Sequence, residues 1–429
     1  MRILLVVHSF PPWHWRGTEV YTLELAQALS RRHQVAVCHL VQDPEAGTPR
    51  REVVTENNLT IHRLHKRLDP ANLESYFFDA GLDRLFQGVL AEAQPEVVHF
   101  TYFLGGLSIR FPQLAREAKA RTVFTMTDDA AICPRGQLLD SRFQPCPGPR
   151  GALRCLPCLL DQPVFTSRRW LDRWLIESAP LALADRLRHP GLQLLRRRSR
   201  LAREALIAAD RVIFPNAHIL RVYGRQGLSR LRSGVLDFGV DTRPFRDHRK
   251  SPADHFRLAF IGQLLPHKGL HVLAQALRSL DRPDFSLKVY GSVEDPGSRE
   301  YFDSLKLDSL PRAAFAGVFP YAEMNQVLEA VDALIVPSTW DENCPLIVKY
   351  GLVTGTWTVL ADVPGIIARR EQMNRVRFFP AGDPAGLAAA LKDLLDRGER
   401  PAGKFTPHPA VADMDDHARA VEALYRGEA

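Results

Sequence analysis

Phe260-Ile261-Gly262-Gln263-Leu264-Leu265-Pro266-His267-Lys268-Gly269 and, about seventy residues further on, Trp340-Asp341-Glu342-Asn343-Cys344-Pro345-Leu346 follow the same plan. Each comes after a short apolar run, Leu258–Ile261 or Ala333–Val336, that reads as a buried strand, breaks into a loop and then opens a helix. In an open parallel sheet such strand ends line the ligand crevice, and the helix starts present free N–H groups and a positive dipole end. Lys268 adds a full positive charge to the first loop and Glu342 an acceptor to the second. A cation, bare amides and a carboxylate together suit a phosphate ester carrying hydroxyls, such as a nucleotide sugar. The same residues also fit two ordinary strand–helix turns.

Outward from these loops, short β-branched runs alternate with helical patterns along the whole chain, the signature of parallel α/β sheets. Strands are predicted at Leu258–Ile261, Ser286–Tyr290, Ala313–Phe315, Ala333–Val336, Thr358–Leu360 and Val376–Phe379 in the second half. In the first half they fall at Ile3–Val7, Val35–Leu40, Thr60–Leu64, Val97–Thr101, Thr122–Thr125 and Val212–Pro215, with helices such as Glu19–Arg31 and Ile109–Lys119 between them. The polar stretch Asp247–His255 reads as a linker. The expected architecture is therefore two tandem Rossmann-like domains facing a cleft, over residues 1–248 and 249–410. A last helical pattern, within 411–429, packs back on the first domain in this reading.

The chain has 429 residues, enough for two cores, and its hydrophobic content of 45% is that of a globular protein. No apolar run approaches the roughly 20 residues that span a bilayer. The N-terminal run Arg2–His8 is too short for a signal peptide and lacks a cleavage site, so it reads as strand one and the expected location is the cytoplasm. The net charge of +7 is concentrated between residues 168 and 203, where ten arginines face three acids and Trp170 and Trp174 stand one helical turn apart. Such a segment either lies on the anionic inner face of a membrane or is a solvated helical face. No nucleic-acid motif accompanies it.

Cys133, Cys146, Cys155 and Cys158 cluster in a stretch of low apolar content, the last two as a Cys-x-x-Cys knuckle. In a reducing compartment four thiolates complete a tetrahedral zinc shell, so a structural zinc is expected here. Four reduced thiols and an iron–sulfur cluster are the other readings. Cys38 falls in a strand and reads as core. His8 and His99 end strands on the cleft side, and Trp13 and Trp15 offer either a stacking platform for a sugar or a cover for their own loop.

Taken together, the chain resembles the retaining glycosyltransferases of family 4, which have the GT-B fold. The resemblance rests on His8-Ser9-Phe10-Pro11-Pro12 followed by Gly17-Thr18-Glu19, on Cys133-Pro134-Arg135-Gly136-Gln137-Leu138-Leu139, on Gly239-Val240-Asp241, on Gly262-Gln263 with His267-Lys268-Gly269, and on Glu342-Asn343-Cys344-Pro345-Leu346. It implies a nucleotide diphosphate sugar held mostly by the second domain. Lys268 would pair with the diphosphate and Glu342 with the sugar hydroxyls, as the catalytic pair. Gly17 and Thr18 would approach the diphosphate from the first domain. Gly262, Gln263, Asn343, Cys344, Pro345, Leu346 and Tyr350 would complete the donor site. No divalent metal is needed for that chemistry, and the pair Asp128-Asp129 is not read as a metal site. The acceptor would be a glycan, a lipid-linked sugar or a small molecule.

Three positions depart from the pattern, and they matter. Many relatives carry a second glutamate eight residues after the first, gripping the ribose, and Tyr350 stands there. A phenol in place of a carboxylate forfeits a charged hydrogen bond worth about 1.5–3 kcal/mol. The Thr-x-His-Asp stretch reads Thr125-Met126-Thr127-Asp128, so threonine replaces the active-site histidine. Gln263 also stands where arginine is frequent. These changes leave a second reading, a catalytically impaired glycosyltransferase-like scaffold that binds a partner or glycan. A nucleotide-sugar epimerase is a third, weakened by the loss of an acid/base group at Thr127.

Overall fold

The computed structural model describes residues 1–69, 72–148, 152–159, 190–280, 282–310, 312–368, 370–400, 404–405 and 407–428. Two compact α/β units make up the chain, Met1–Asp237 with Asp415–Ala429, and Phe238–Met414.

Unit 1 is built on a sheet of β1 (Arg2–Val7), β2 (Gln34–Gln42), β3 (Arg50–Glu56), β4 (Leu59–Lys66), β5 (Val97–Phe100), β6 (Arg121–Thr125), β7 (Arg211–Phe214) and β8 (Ser233–Val235), in the spatial order β3-β4-β2-β1-β5-β6-β7-β8. β1 is unbroken Ile-Leu-Leu-Val-Val because helices cover both faces of a parallel sheet and leave no solvated side for a polar residue. It pairs in parallel with β2 on one side and β5 on the other, so the order of winding reverses at β1. Among the described residues of this sheet, only β3 runs antiparallel, against β4. The alternation expected of a half-buried strand is blurred in β3 by Arg50, Arg51, Glu52 and Glu56, charges that blunt a sheet edge, and the sequence did not reveal it.

Unit 2 repeats the plan with β9 (Phe256–Ile261), β10 (Phe285–Tyr290), β11 (Ala313–Gly317), β12 (Ala333–Val336), β13 (Trp357–Ala361) and β14 (Val376–Phe379), all parallel, in the order β11-β10-β9-β12-β13-β14. Here the winding reverses at β9, which lies between β10 and β12. Helices Leu270–Arg278 and Pro384–Arg397 cover the sheet through Leu273, Leu277, Leu387, Leu391 and Leu394, all in one apolar core. The stretch Asp247–His255, expected as a linker, is tied into this unit. The Lys250 ammonium donates to the carbonyls of Leu328 and Val331 and to Thr356 Oγ1, and the Ser251 N–H donates to the Glu329 carbonyl. Burial, and after it the Arg257 charge, pull Lys250 down to about 7 against the opposing charges of Asp332 and Glu329.

Trp170, Trp174 and most of the basic run lie outside the described residues. Its end forms the helix Pro190–Ile207, which packs Leu192 and Leu195 against Leu156 and Leu159 of the helix Ala152–Leu159. One arginine of the run points inward. Arg198 is 1% exposed and donates to the carbonyl oxygens of Ala130, Ala131 and Cys133, partners that a buried cation requires.

The helix Met414–Arg426 begins where unit 2 ends, and its remainder belongs to unit 1. Tyr21 Oη meets His417 Nε2 at 2.9 Å, and Tyr425 Oη meets His99 Nδ1 at 2.6 Å. His99 sits in β5, fully buried, with Nε2 on Thr125 Oγ1 of β6 at 2.7 Å. Burial lowers it to about 3, so the ring is neutral and both nitrogens are used in hydrogen bonds. It therefore acts as a strut between a strand and the terminal helix rather than as a ligand group. Tyr425→Phe should cost about 1–3 kcal/mol by leaving a buried ring nitrogen without its partner. The urea midpoint of the purified variant checks this.

Candidate active site

The reversal of winding at β9 puts the loops after β9 and β12 side by side. Backbone contacts then lock them together. The Thr339 N–H donates to the His267 carbonyl at 2.9 Å. Gly269 has a φ of 76°, and a Cβ there would lie 1.8 Å from the Pro337 carbonyl oxygen, so only glycine lets the two chains come this close. Between them Pro266–Lys268 forms a single tight turn, after which the helix Leu270–Arg278 begins.

Across this junction the Lys268 Nζ donates to Glu342 Oε1 at 2.7 Å, and the Ser338 hydroxyl donates to the same oxygen at 2.7 Å. The lysine ammonium also stands 4.8 Å from the centre of the Trp340 ring, a cation–π contact that fixes its stem. Glu342 is buried, and burial alone would push its carboxyl up. The Lys268 charge, with the hydrogen bonds of Lys268 and Ser338, outweighs burial and holds it below the usual carboxylate range. His267 is buried edge-on to Trp340, and burial followed by the Lys268 charge lowers it to about 4, so it is neutral beside the cation. Beyond Glu342 the loop is pinned again. A Cβ on Gly365 would overlap the Glu342 carbonyl, and the Gly365 N–H donates to Asp341 Oδ1 at 2.9 Å.

Among the expected site residues, Lys268 and Glu342 meet directly. Gly262 and Gln263 stand half-buried at the end of β9, and Asn343, Cys344, Pro345 and Leu346 lead from Glu342 into the helix Leu346–Val353. Tyr350 is on that helix but 2% exposed, with its ring against Phe245 at 5.3 Å and its hydroxyl on Tyr321 Oη at 2.7 Å. Gly17 and Thr18 begin the first helix of unit 1, Gly17–Ser30, with no side-chain cap ahead of them. Thr127 donates to the Thr101 carbonyl at 2.8 Å. The Arg63 guanidinium stands over the Trp13 ring at 4.7 Å, and both Trp13 and Trp15 remain exposed. Ser338, Trp340 and Gly365 were not foreseen. A serine four residues before the glutamate was the available signal for the first.

The zinc expectation needs correction. Cys133, Cys146, Cys155 and Cys158 are free thiols, and among the described residues no group of three or more His, Cys, Asp or Glu is arranged to hold a metal ion. Cys133 belongs to the apolar core of unit 1, Cys155 packs on the small cluster around Leu156 and Leu192, and Cys158 Sγ faces the Leu139 carbonyl at 4.0 Å. Burial is the main cause that raises all three thiols, Cys155 to about 11, and the nearby thiols Cys133, Cys158 and Cys146 raise Cys155 further.

The glycosyl transferase 4-like domain matches residues 16–236, just over half of the chain. The chain belongs to this glycosyltransferase family. A second match, to glycosyl transferases group 1, covers residues 255–397 of this family member and so includes both loops of the site. A D-inositol 3-phosphate glycosyltransferase of Thermomonospora curvata is 26% identical over 47% of the chain and 49% of its own length. The chain spans about half or less of the length of the curated relatives it matches. In three dimensions this glycosyltransferase relative is similar to sucrose-phosphate synthase of Thermosynechococcus elongatus, with a TM-score of 0.61 at 16% identity over 99% of this chain and 96% of that one. It is also similar to the Anabaena protein HepE in complex with UDP and glucose, with a TM-score of 0.61 at 14% identity over 99% and 95% of the two chains. These likenesses show a shared two-domain Rossmann-like fold.

The contacts across the loops give a paired test. Gly269→Ala should lower the melting temperature by several degrees, because the methyl meets the Pro337 carbonyl and the backbone is left-handed. Gly262→Ala should be tolerated, since the atoms nearest its Cβ are Phe260 ring carbons at 3.7 Å. Thermal melts followed by circular dichroism check both.

Proposed function

We propose that the protein is a retaining glycosyltransferase that moves a sugar from a nucleotide diphosphate donor to a hydroxyl-bearing acceptor. The observation that carries this reading is the Lys268–Glu342 pair, held at 2.7 Å where the winding of the unit 2 sheet reverses. That is where open α/β sheets take ligands. A donor diphosphate would draw Lys268 from Glu342 onto its own oxygens as a point charge. The freed Glu342 carboxylate, still held by Ser338, would then accept hydrogen bonds from the sugar. The amides of Asn343 and Cys344, and those that open the helix Leu346–Val353, would take phosphate and sugar oxygens. Gly262 and Gln263 would form the floor after β9, and Tyr350 would support the nucleoside through Tyr321.

The chemistry then needs little beyond charge placement. The bond from the anomeric carbon to the diphosphate oxygen breaks with its electron pair leaving on the nucleoside diphosphate. The acceptor oxygen bonds to that carbon on the face the leaving group vacates, and the acceptor proton passes to the departing phosphate oxygen. Lys268 stabilises charge that builds on the leaving group, the type of contribution that outweighs others in such reactions. The UDP in the HepE complex belongs to that protein, and it is consistent with a nucleoside diphosphate here.

Lys268→Ala should lower turnover by about 10²–10³. The assay measures sugar transfer from UDP-, GDP- and ADP-sugars, with the anomer of the product read by NMR. Unchanged turnover in the variant, or none in the wild type with any donor, rejects the transferase reading, and an inverted anomer rejects retention.

A further inference from the structure

The sequence puts the excess of positive charge between residues 168 and 203, and the fold carries it further. From Arg196 to Arg232 there are ten arginines, and Glu204 and Asp210 are the acids among them. The helix Pro190–Ile207 leads into β7, and β7 leads through the helix Ala217–Tyr223 and the helical turn Gly224–Leu228 into β8. β6, β7 and β8 are parallel neighbours, and the Val212 N–H donates to the Arg232 carbonyl at 2.8 Å. Helices that connect parallel strands run back toward the strand starts. The ends of both helices and the starts of β7 and β8 therefore share one end of the sheet. They bring Arg203, Arg211, Arg221, Arg225, Arg230 and Arg232 there with them.

Little of this charge is neutralised within unit 1. Arg203 Nη1 donates to the Gln226 carbonyl at 2.5 Å and Nη2 to the Gly227 carbonyl at 3.1 Å, which clamps the first helix to the turn after the second. Arg221, Arg225, Arg230 and Arg232 are exposed, and among the described residues no carboxylate lies within ion-pair distance of them. Both acids of the stretch are engaged. Glu204 lies 3.8 Å from Arg200, and Asp210 accepts the Thr122 N–H at 2.8 Å. Like charges this close repel one another, a cost that an anionic surface would offset. Ile207 adds an apolar element, 61% exposed and one and two turns along the same helix face from Arg203 and Arg200. An isoleucine among arginines gains nothing from a phosphate ion or a nucleic-acid backbone. At a bilayer it enters the headgroup boundary while guanidinium groups meet lipid phosphates.

We propose that this end of the unit 1 sheet is a docking surface for a bilayer rich in anionic phospholipid, with Arg221, Arg225 and Arg230 at the headgroup phosphates and Ile207 at the boundary with the acyl chains. It lies at the strand starts, opposite the loops that follow β5 and β6, so docking leaves those loops open. The proposal goes beyond the transferase reading and does not depend on it.

The test uses the full chain in sedimentation with vesicles of phosphatidylcholine alone and of an equal mixture with phosphatidylglycerol. The protein is expected to bind the mixed vesicles, at least about tenfold more weakly the neutral ones, and to leave the mixed vesicles as sodium chloride rises from about 0.1 M to about 0.5 M. Arg225→Ala and Arg230→Ala together should lower partitioning by about fivefold for each arginine removed. Arg221→Ala with Arg232→Ala serves if the first pair misfolds, as judged by circular dichroism. Ile207→Ser should weaken binding while leaving its salt dependence unchanged, because it removes apolar contact and no charge. Absence of binding to mixed vesicles overturns the proposal, as does equal binding to both kinds. So does unchanged partitioning in a folded double-arginine variant. A short DNA duplex that binds more tightly than the mixed vesicles, with no effect of Ile207→Ser on either, overturns it in favour of a nucleic-acid partner.

Discussion

Lys268 and Glu342 are 74 residues apart in sequence and 2.7 Å apart in space, and the rest of unit 2 is arranged around keeping them so. The strands that carry them are neighbours, but strand pairing alone leaves their loops free to splay. The loops are closed by the bare α-carbon of Gly269 under Pro337 and by the hydrogen bond from Thr339 to His267. Without that closure the ion pair would be one more flexible surface contact worth about 0–1 kcal/mol. Held rigid and mostly out of water, it places a charged carboxylate where burial would otherwise have neutralised it.

The pair has a second consequence for the chemistry. Taking two charges out of water costs more than their attraction returns unless the geometry is good. Here Ser338 and the Trp340 ring supply that geometry, so the unliganded site is already satisfied. A ligand bearing its own negative charge can exchange places with Glu342 as the partner of Lys268, while Glu342 retains the Ser338 hydroxyl. In the proposed exchange Glu342 gives up its cation and keeps the Ser338 hydroxyl, which leaves its charge to be met by hydrogen bonds from the ligand.

Much of this was legible in the chain because of how parallel sheets are buried. β1, β9 and β12 are apolar on both faces, so each reads as an uninterrupted run, and Lys268 and Glu342 stand out as charges at the ends of such runs. β3 and β8 escaped because they lie toward the sheet edges, where side chains face water and the apolar pattern fades. Composition misled at the cysteines. Spacing suggested a metal shell, but Cys133 is part of an apolar core and spacing carries no information on burial. Arg198 shows the same blindness in reverse, an arginine in a basic run that the fold buries to bind carbonyls. The orientation of Tyr350 toward Tyr321 and Phe245 depends on residues 29 and 105 positions away, beyond the reach of any local pattern.

The backbone enters unit 2 after Asp237 and returns to unit 1 at Asp415. A nascent chain that has emerged only as far as Asp237 therefore has every strand of its first sheet but no tyrosine to meet His99 and no histidine to meet Tyr21. Vectorial synthesis imposes an order on the two units, since the first to appear is the last to be finished. Until the helix Met414–Arg426 has been made, His99 Nδ1 has no tyrosine to bond, and that face of the sheet stays open to water.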